Sequence, residues 1–141
     1  MYGMLTKSLL QSLAETRRRD AEALLLTGQY SGAYYLCGYV LECALKAIVA
    51  SRFFQDVIPS KNLVNDTYTH ELGKLVGLAG LKTELDKQTA VDQDFTARWG
   101  IVSKWSEASR YENWDAANAQ TMYDSVADPM KGVLQWIKRF W

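Results

Sequence analysis

Hydrophobic positions recur at three- and four-residue steps along most of the chain. Leu5, Leu9 and Leu13 stand four apart, and Ala21, Leu24 and Leu25 continue the pattern up to Gly28, where a helix can stop. This spacing predicts a first helix over residues 4–27. The strongest pattern follows. Ala33, Leu36, Cys37, Val40, Leu41, Ala44, Leu45 and Ile48 form a broad apolar stripe on a second helix, with Ser31 as its N-cap and an end near Phe54, ahead of Pro59. Residues 56–68 are rich in Pro, Asn, Asp and Ser and read as a loop. Thr69 is placed to cap a short third helix, Leu72 to Leu78, closed by Gly77 or Gly80. A polar stretch from Lys82 to Asp94 leads into a fourth helix with Phe95, Trp99, Val102 and Trp105 on one face, and Ser106 to Trp114 read as a break. Ala119, Met122, Tyr123, Val126, Met130, Val133, Leu134 and Ile137 then keep helical phase over residues 116–140, across Pro129. A proline inside a helix costs about 3 kcal/mol and one hydrogen bond, so this stretch is either kinked or divided in two. Strand-like alternation is scarce. The pattern predicts one all-α domain over residues 1–141, an antiparallel four- to five-helix up-and-down bundle.

Composition narrows the function classes. The chain has 141 residues, 48% hydrophobic and 23% charged, which suits a single globular domain with its own core and excludes disordered and collagenous classes. Its 16 basic and 16 acidic residues cancel, and neither half carries a charged tail. Sequence-specific binding to duplex DNA is not expected, because that needs clustered cations. No apolar run reaches the roughly 18 residues of a membrane span, and residues 1–10 lack the charged region and apolar run of a secretory leader. A cytoplasmic location is the expectation. Cys37 and Cys43 lie six residues apart, roughly 9 Å along a helix, beyond disulfide reach, and read as small buried apolar residues. With one histidine and two cysteines, no structural zinc and no cofactor are expected, and no phosphate loop or nucleophile elbow is present.

The second helix carries a distinct polar and aromatic side. Tyr35, Tyr39, Glu42 and Lys46 fall within an arc of about 60°, opposite the apolar stripe. Tyr2, Tyr30 and Tyr34 add to the aromatic density. Such a face suits a subunit or partner interface through Tyr35 and Tyr39, or a ligand groove, or a plain polar surface; Glu42 and Lys46 are also an ordinary i,i+4 pair. Arg17, Arg18 and Arg19 point about 100° apart in succession and read as a solvated face rather than one RNA-binding patch. Trp99 and Trp105 read as core.

Residues 18–47 resemble the first two helices of a HEPN domain, a nucleotide-binding domain of higher eukaryotes and prokaryotes. The residues that carry the resemblance are Ala21–Glu22, the Gly28–Gln29–Tyr30 turn, Ala33, and Gly38 followed by Glu42, Leu45, Lys46 and Ala47. Thr69–His70–Glu71–Leu72 resembles the short helix of many such domains, Ser109–Arg110–Tyr111 resembles their arginine segment, and Val133 to Lys138 resembles their closing helix. The resemblance implies a helical bundle, often a homodimer. It also implies three possible roles: a metal-independent RNase, often a toxin; the partner of a small nucleotidyltransferase; or a binding module that has lost catalysis.

The RNase motif of that family is an arginine followed after four to six residues by a histidine. Arg110 matches the arginine, but Asp115, Ala116 and Ala117 stand at the histidine positions. Cleavage through the ribose 2′-hydroxyl needs a proton acceptor near neutral pH, which histidine supplies with a pKa of about 6.5, and a cation for the phosphorane, which arginine supplies. Asp115, with an ordinary pKa of about 3.9, is a poor base unless burial raises it. His70, the only histidine, either comes near Arg110 in three dimensions or makes a local hydrogen bond in the first turn of its helix. Arg110 and Tyr111 either hold a phosphate and a stacked base or ribose, or Arg110 pairs with a carboxylate such as Glu42. The reading that follows is a non-catalytic or weakly catalytic nucleotide- or RNA-associated module. Arg110 contacts phosphate, and Tyr111, Glu42 and Lys46 shape the site; a nucleotidyltransferase is a possible partner in a toxin–antitoxin-like system. The alternatives are an endoribonuclease using His70 or Asp115 as base, and a purely structural dimeric interaction module.

Overall fold

The hydroxyl of Thr6 accepts from the Leu9 N–H at 3.1 Å and starts α1, Lys7–Leu26, in the computed structural model, which describes residues 4–141. Thr27 closes α1, and Gly28 turns the chain with φ +79°, a conformation that glycine adopts without strain. The chain returns at once as α2, Tyr30–Ser51. α3 spans Lys61–Asp66, α4 Leu72–Leu78, α5 Lys82–Val91 and α6 Gln93–Val102. A 3-10 turn, Glu107–Tyr111, precedes α7, Ala116–Ala127, and α8, Val133–Lys138. The described residues are all-helical.

α2 is the hub. It packs against α1, α4, α7, α8 and the 3-10 turn. Val40, Leu41, Ala44 and Leu45 of the expected stripe are fully buried, as is Ala47 nearby, and Tyr34 is buried too, so burial extends around most of the helix. This helix alone among those described is long and apolar enough to cross a bilayer, and 67% of that stretch is buried inside the fold. Its apolar surface is therefore taken up by the protein's own core. Cys37 is buried, Cys43 half-buried, and both are free thiols.

Several boundaries differ from the sequence pattern. On α1 the core side is Leu10, Ala14 and Ala21, whereas Leu9, and Leu5 just ahead of the helix, are exposed. The small alanines let α1 lie close along α2, and the larger leucines are left outside that contact. Ser31 does not cap α2, which begins one residue before it; its hydroxyl accepts instead from the Trp114 N–H at 2.9 Å. Thr69 likewise does not cap α4. Glu71 holds the N-cap position, and the Thr69 hydroxyl accepts from the Glu71 N–H.

Residues 61–66, read as loop, form α3, capped by Ser60. None of its residues is buried, so it has no apolar stripe to read. The polar stretch 82–91 forms α5, which buries only Leu85. Asp92 then caps α6 through the Phe95 N–H. Pro129 divides the last stretch in two. Asp128 leaves α7 with extended backbone, as a residue before proline prefers, and its carboxylate accepts from the Met130 and Lys131 N–H groups at 2.9 Å each.

Polar contacts tie the last helices to α1 and α2. The Tyr123 hydroxyl of α7 donates to Glu22 (2.7 Å) and accepts from Arg18 (3.2 Å), both on α1. Lys138 of α8 meets Glu15 of α1, and Trp141 donates its indole N–H to the Ala44 carbonyl. Burial disfavours the charged form of Glu15, but the Lys138 and Arg18 contacts outweigh it and hold the carboxyl below its usual pKa. A lowered carboxyl pKa stabilises the fold above the ordinary carboxylate range and loses that contribution as pH falls through the lowered value. Glu15→Gln is therefore expected to lose less stability than the parent between about pH 7 and about pH 3, read from urea midpoints. Equal losses would refute the assignment.

Gly38 sets the distance between α2 and the segment after α6. A methyl group there would overlap the indole of Trp105. Gly38→Ala is expected to destabilise the protein by about 1–3 kcal/mol in urea denaturation, the cost of overpacking a filled core.

Candidate functional site

Trp105 is buried against Gly38 and donates its indole N–H to the Tyr35 carbonyl at 3.1 Å. Its ring meets Tyr39 edge-on at 5.1 Å and lies 6.4 Å from Tyr35. The two phenol oxygens are hydrogen-bonded at 3.0 Å. The aromatic side of α2 is thus half-covered from within the chain. Burial, the bond from Tyr35, and the charges of Glu42 and Glu107 push the Tyr39 phenol well above its ordinary pKa, so it stays a neutral donor.

Beside it lies a chain of charges. Glu42 is only 6% exposed. Its Oε1 is 2.8 Å from His70 Nδ1, and its Oε2 is 3.3 Å from Lys46 Nζ. The pair that the helical spacing marks as an ordinary surface one is therefore a buried one, with the Lys46 side chain only 15% exposed. Contact with an ionised carboxylate, which can only accept, assigns a hydrogen to Nδ1. His70 Nε2 lies 3.3 Å from Glu107 Oε2. His70 and Glu107 stand in the wall of a cleft of about 440 Å³, with Tyr68, Thr69, Glu71 and Ala108. Lys46, Glu42, His70 and Glu107 thus form one line from α2, through the entry to α4, to the 3-10 turn.

His70 does not sit in the first turn of α4 with a local bond. It precedes the helix and reaches 28 residues back along the sequence to Glu42. Arg110 does not pair with Glu42, whose oxygens are held by His70 and Lys46. The Arg110 guanidinium is exposed, lies 4.8 Å over the Tyr111 ring and makes no ion pair among the described residues. Tyr111 is itself 78% exposed. Asp115 is the N-cap of α7, accepting from Asn118 N–H (2.8 Å) and Asn118 Nδ2 (2.9 Å), and no hydrogen bond joins it to the His70 line. Tyr2 lies outside the described residues.

The structure therefore brings together Tyr35, Tyr39, Glu42, Lys46 and His70, places Arg110 and Tyr111 on the turn that carries Glu107, and leaves Asp115 apart. Glu107 is the site residue that periodicity did not single out. It lies in a short polar break, where no pattern distinguishes one glutamate from another. Trp105 is core, as its spacing predicts, but it also roofs the tyrosines. The imidazole stands between its two carboxylates, so the three groups do not converge on a point as metal ligands would, and no other such trio occurs among the described residues. The imidazole has a carboxylate facing each of its nitrogens and could accept a proton at Nε2 only with Glu107 moved aside, and a guanidinium held at exposed and half-buried phenols is the arrangement of an anion and ring platform.

No protein-family model, no curated protein and no solved structure matches the chain.

Removing one member of a buried ion pair strands the other. Glu42→Leu is expected to cost about 3 kcal/mol in urea denaturation, and Glu42→Leu combined with Lys46→Leu to recover most of that loss. A single variant as stable as the parent would show that the carboxylate is not needed to neutralise its neighbours.

Proposed function

We propose that the chain is a HEPN-type helical bundle that binds nucleotides or single-stranded RNA and has little or no catalytic activity. The observation that carries this reading is Arg110: a guanidinium without an ion-pair partner among the described residues, over an exposed tyrosine ring, on the turn that walls the His70 cleft. Arg110 binds phosphate through its fork of N–H donors, and Tyr111 stacks a base or ribose. Glu42 and Lys46 act from behind, holding His70 at the cleft wall. The carboxylate of Glu107 in that wall works against a dense phosphate chain and favours a single phosphate or a short single strand. The HEPN reading also brings a homodimer and a nucleotidyltransferase partner.

One observation favours a second reading, an endoribonuclease. The 2.8 Å contact between His70 and the buried Glu42 supplies an oriented imidazole although positions 115–117 lack histidine. With the half-exposed Glu107 side chain moved off Nε2, His70 would take the proton of a 2′-hydroxyl there as that oxygen bonds to phosphorus, while the 5′-oxygen of the next nucleotide leaves with the electrons of the broken P–O bond and is protonated by water.

Arg110→Ala is expected to weaken binding of a labelled single-stranded RNA about tenfold, with unchanged helical circular dichroism, the size of one lost charge-assisted contact. Equal binding would remove Arg110 from the site. In the same samples with EDTA present, RNA cleavage that disappears in His70→Ala would establish the second reading in place of the first.

A further inference from the structure

The two carboxylates that face the His70 ring are not alike. Glu42, 2.8 Å from Nδ1, is buried, carries Lys46 on its other oxygen and fixes the imidazole from behind. Glu107, 3.3 Å from Nε2, has a side chain 48% exposed and stands in the wall of the open cleft. A carboxylate only accepts, so Glu107 bonds Nε2 only when that nitrogen carries a hydrogen. With Nδ1 already donating to Glu42, the ring is then a cation. Along the line the charges of Lys46, Glu42, this imidazolium and Glu107 cancel. With Glu107 turned away, one positive charge is left facing the cleft.

The turn does not need this contact to keep its place. The Trp105 indole N–H on the Tyr35 carbonyl and the Trp114 N–H on the Ser31 hydroxyl hold the segment on either side of it. Glu107 makes no other ion pair among the described residues. An ion pair between half-exposed side chains is weak and readily exchanged, because water solvates both members. The Tyr39 ring meets the imidazole edge-on at 6.1 Å, its hydroxyl is bonded to that of Tyr35, and Arg110 reaches the Tyr35 phenol. His70 and the Arg110 guanidinium therefore stand at the two ends of one hydrogen-bonded pair of phenols.

We propose that Glu107 is a built-in competitor: its carboxylate holds, at His70 Nε2, the place that a phosphate oxygen of the bound strand takes, and binding expels it. For the identity of the ligand this rests on the nucleic-acid reading. A phosphate presents Nε2 with the same kind of charged acceptor as a carboxylate. A stray anion that reaches His70 alone gains only what Glu107 already supplies. A strand that meets both His70 and Arg110 gains a second charge-assisted contact, which Glu107 does not make, and so displaces it. The contact thus keeps the cleft closed to small anions and opens it to a ligand with two phosphates.

The test uses the full chain at about pH 6, where an imidazole can hold both hydrogens, and two probes. Inorganic phosphate is followed at constant ionic strength through the ring-proton NMR signals of His70, the only histidine, and labelled single-stranded RNA by fluorescence anisotropy. Glu107→Gln, a change at an exposed position, is expected to tighten both probes about tenfold. Glu112→Gln removes another exposed carboxylate just past the same turn and should change either by less than about twofold. His70→Asn keeps a donor for Glu42 but has no Nε2, and in that background the gain in RNA affinity from Glu107→Gln should shrink to that of Glu112→Gln. If His70→Asn does not fold, the comparison of the two glutamine variants decides alone. Equal gains in those two would overturn the proposal, since loss of charge would explain them, and so would a gain that survives in His70→Asn. The two readings fail separately. Tighter phosphate in Glu107→Gln with no RNA bound by any variant keeps the competitor and removes the nucleic acid. RNA binding that depends on Arg110 and is unchanged in Glu107→Gln keeps the nucleic acid and removes the competitor.

Discussion

A carboxylate buried in a helical core has to be met by opposite charge or by hydrogen bonds, and Glu42 imposes that condition at the centre of this protein. Its position on α2 allows Lys46, one turn on, to answer one oxygen. The other oxygen is answered only from outside the helix, by His70. That single requirement fixes where the chain goes after its second helix. Residues 52–69 must bring His70 back to the middle of α2 before α4 begins. Glu107 then continues the line and draws in the 3-10 turn with Arg110 and Tyr111. The candidate site is in this sense the outer end of the charge compensation of the core.

The aromatic side of the same helix works in parallel. Gly38 leaves room for the indole of Trp105 to lie against the α2 backbone, and that indole is anchored by the Tyr35 carbonyl. Trp105 shields Tyr39, and two clefts share the segment after α6. One is lined by His70 and Glu107; the other is lined by the stacked Tyr34–Trp114 pair and Ser109. Both clefts therefore depend on the same few residues between 105 and 114, a stretch with no regular helix of its own beyond one 3-10 turn.

How legible this was differs by residue. The burial of Cys37, Val40, Leu41, Ala44 and Leu45 follows directly from their three- and four-residue spacing. α4 falls on Leu72–Leu78 because Leu72, Leu75 and Val76 point inward at that spacing. By contrast, α3 buries nothing and α5 buries one leucine, so neither has a pattern to read. Glu42 and Lys46 showed their pairing in the sequence but not their burial, because a helical wheel counts the residues of one helix and is blind to what Trp105 and the loop before α4 lay over it. Arg110 was legible as a cation, and its freedom from Glu42 was not.

What the sequence by itself determined is the class of the fold and its central helix. Local periodicity, a left-handed glycine turn and a proline in the last stretch act over a few residues, and short-range physics is written in short-range order. Only the tertiary structure decided which polar residues face one another. The contacts of His70 with Glu42, Trp105 with Gly38, and Trp114 with Tyr34 join residues 28 to 80 positions apart. Such pairings arise when helices pack and each buried charge or donor finds what meets it, or, as at Ser109 and Trp114, does not.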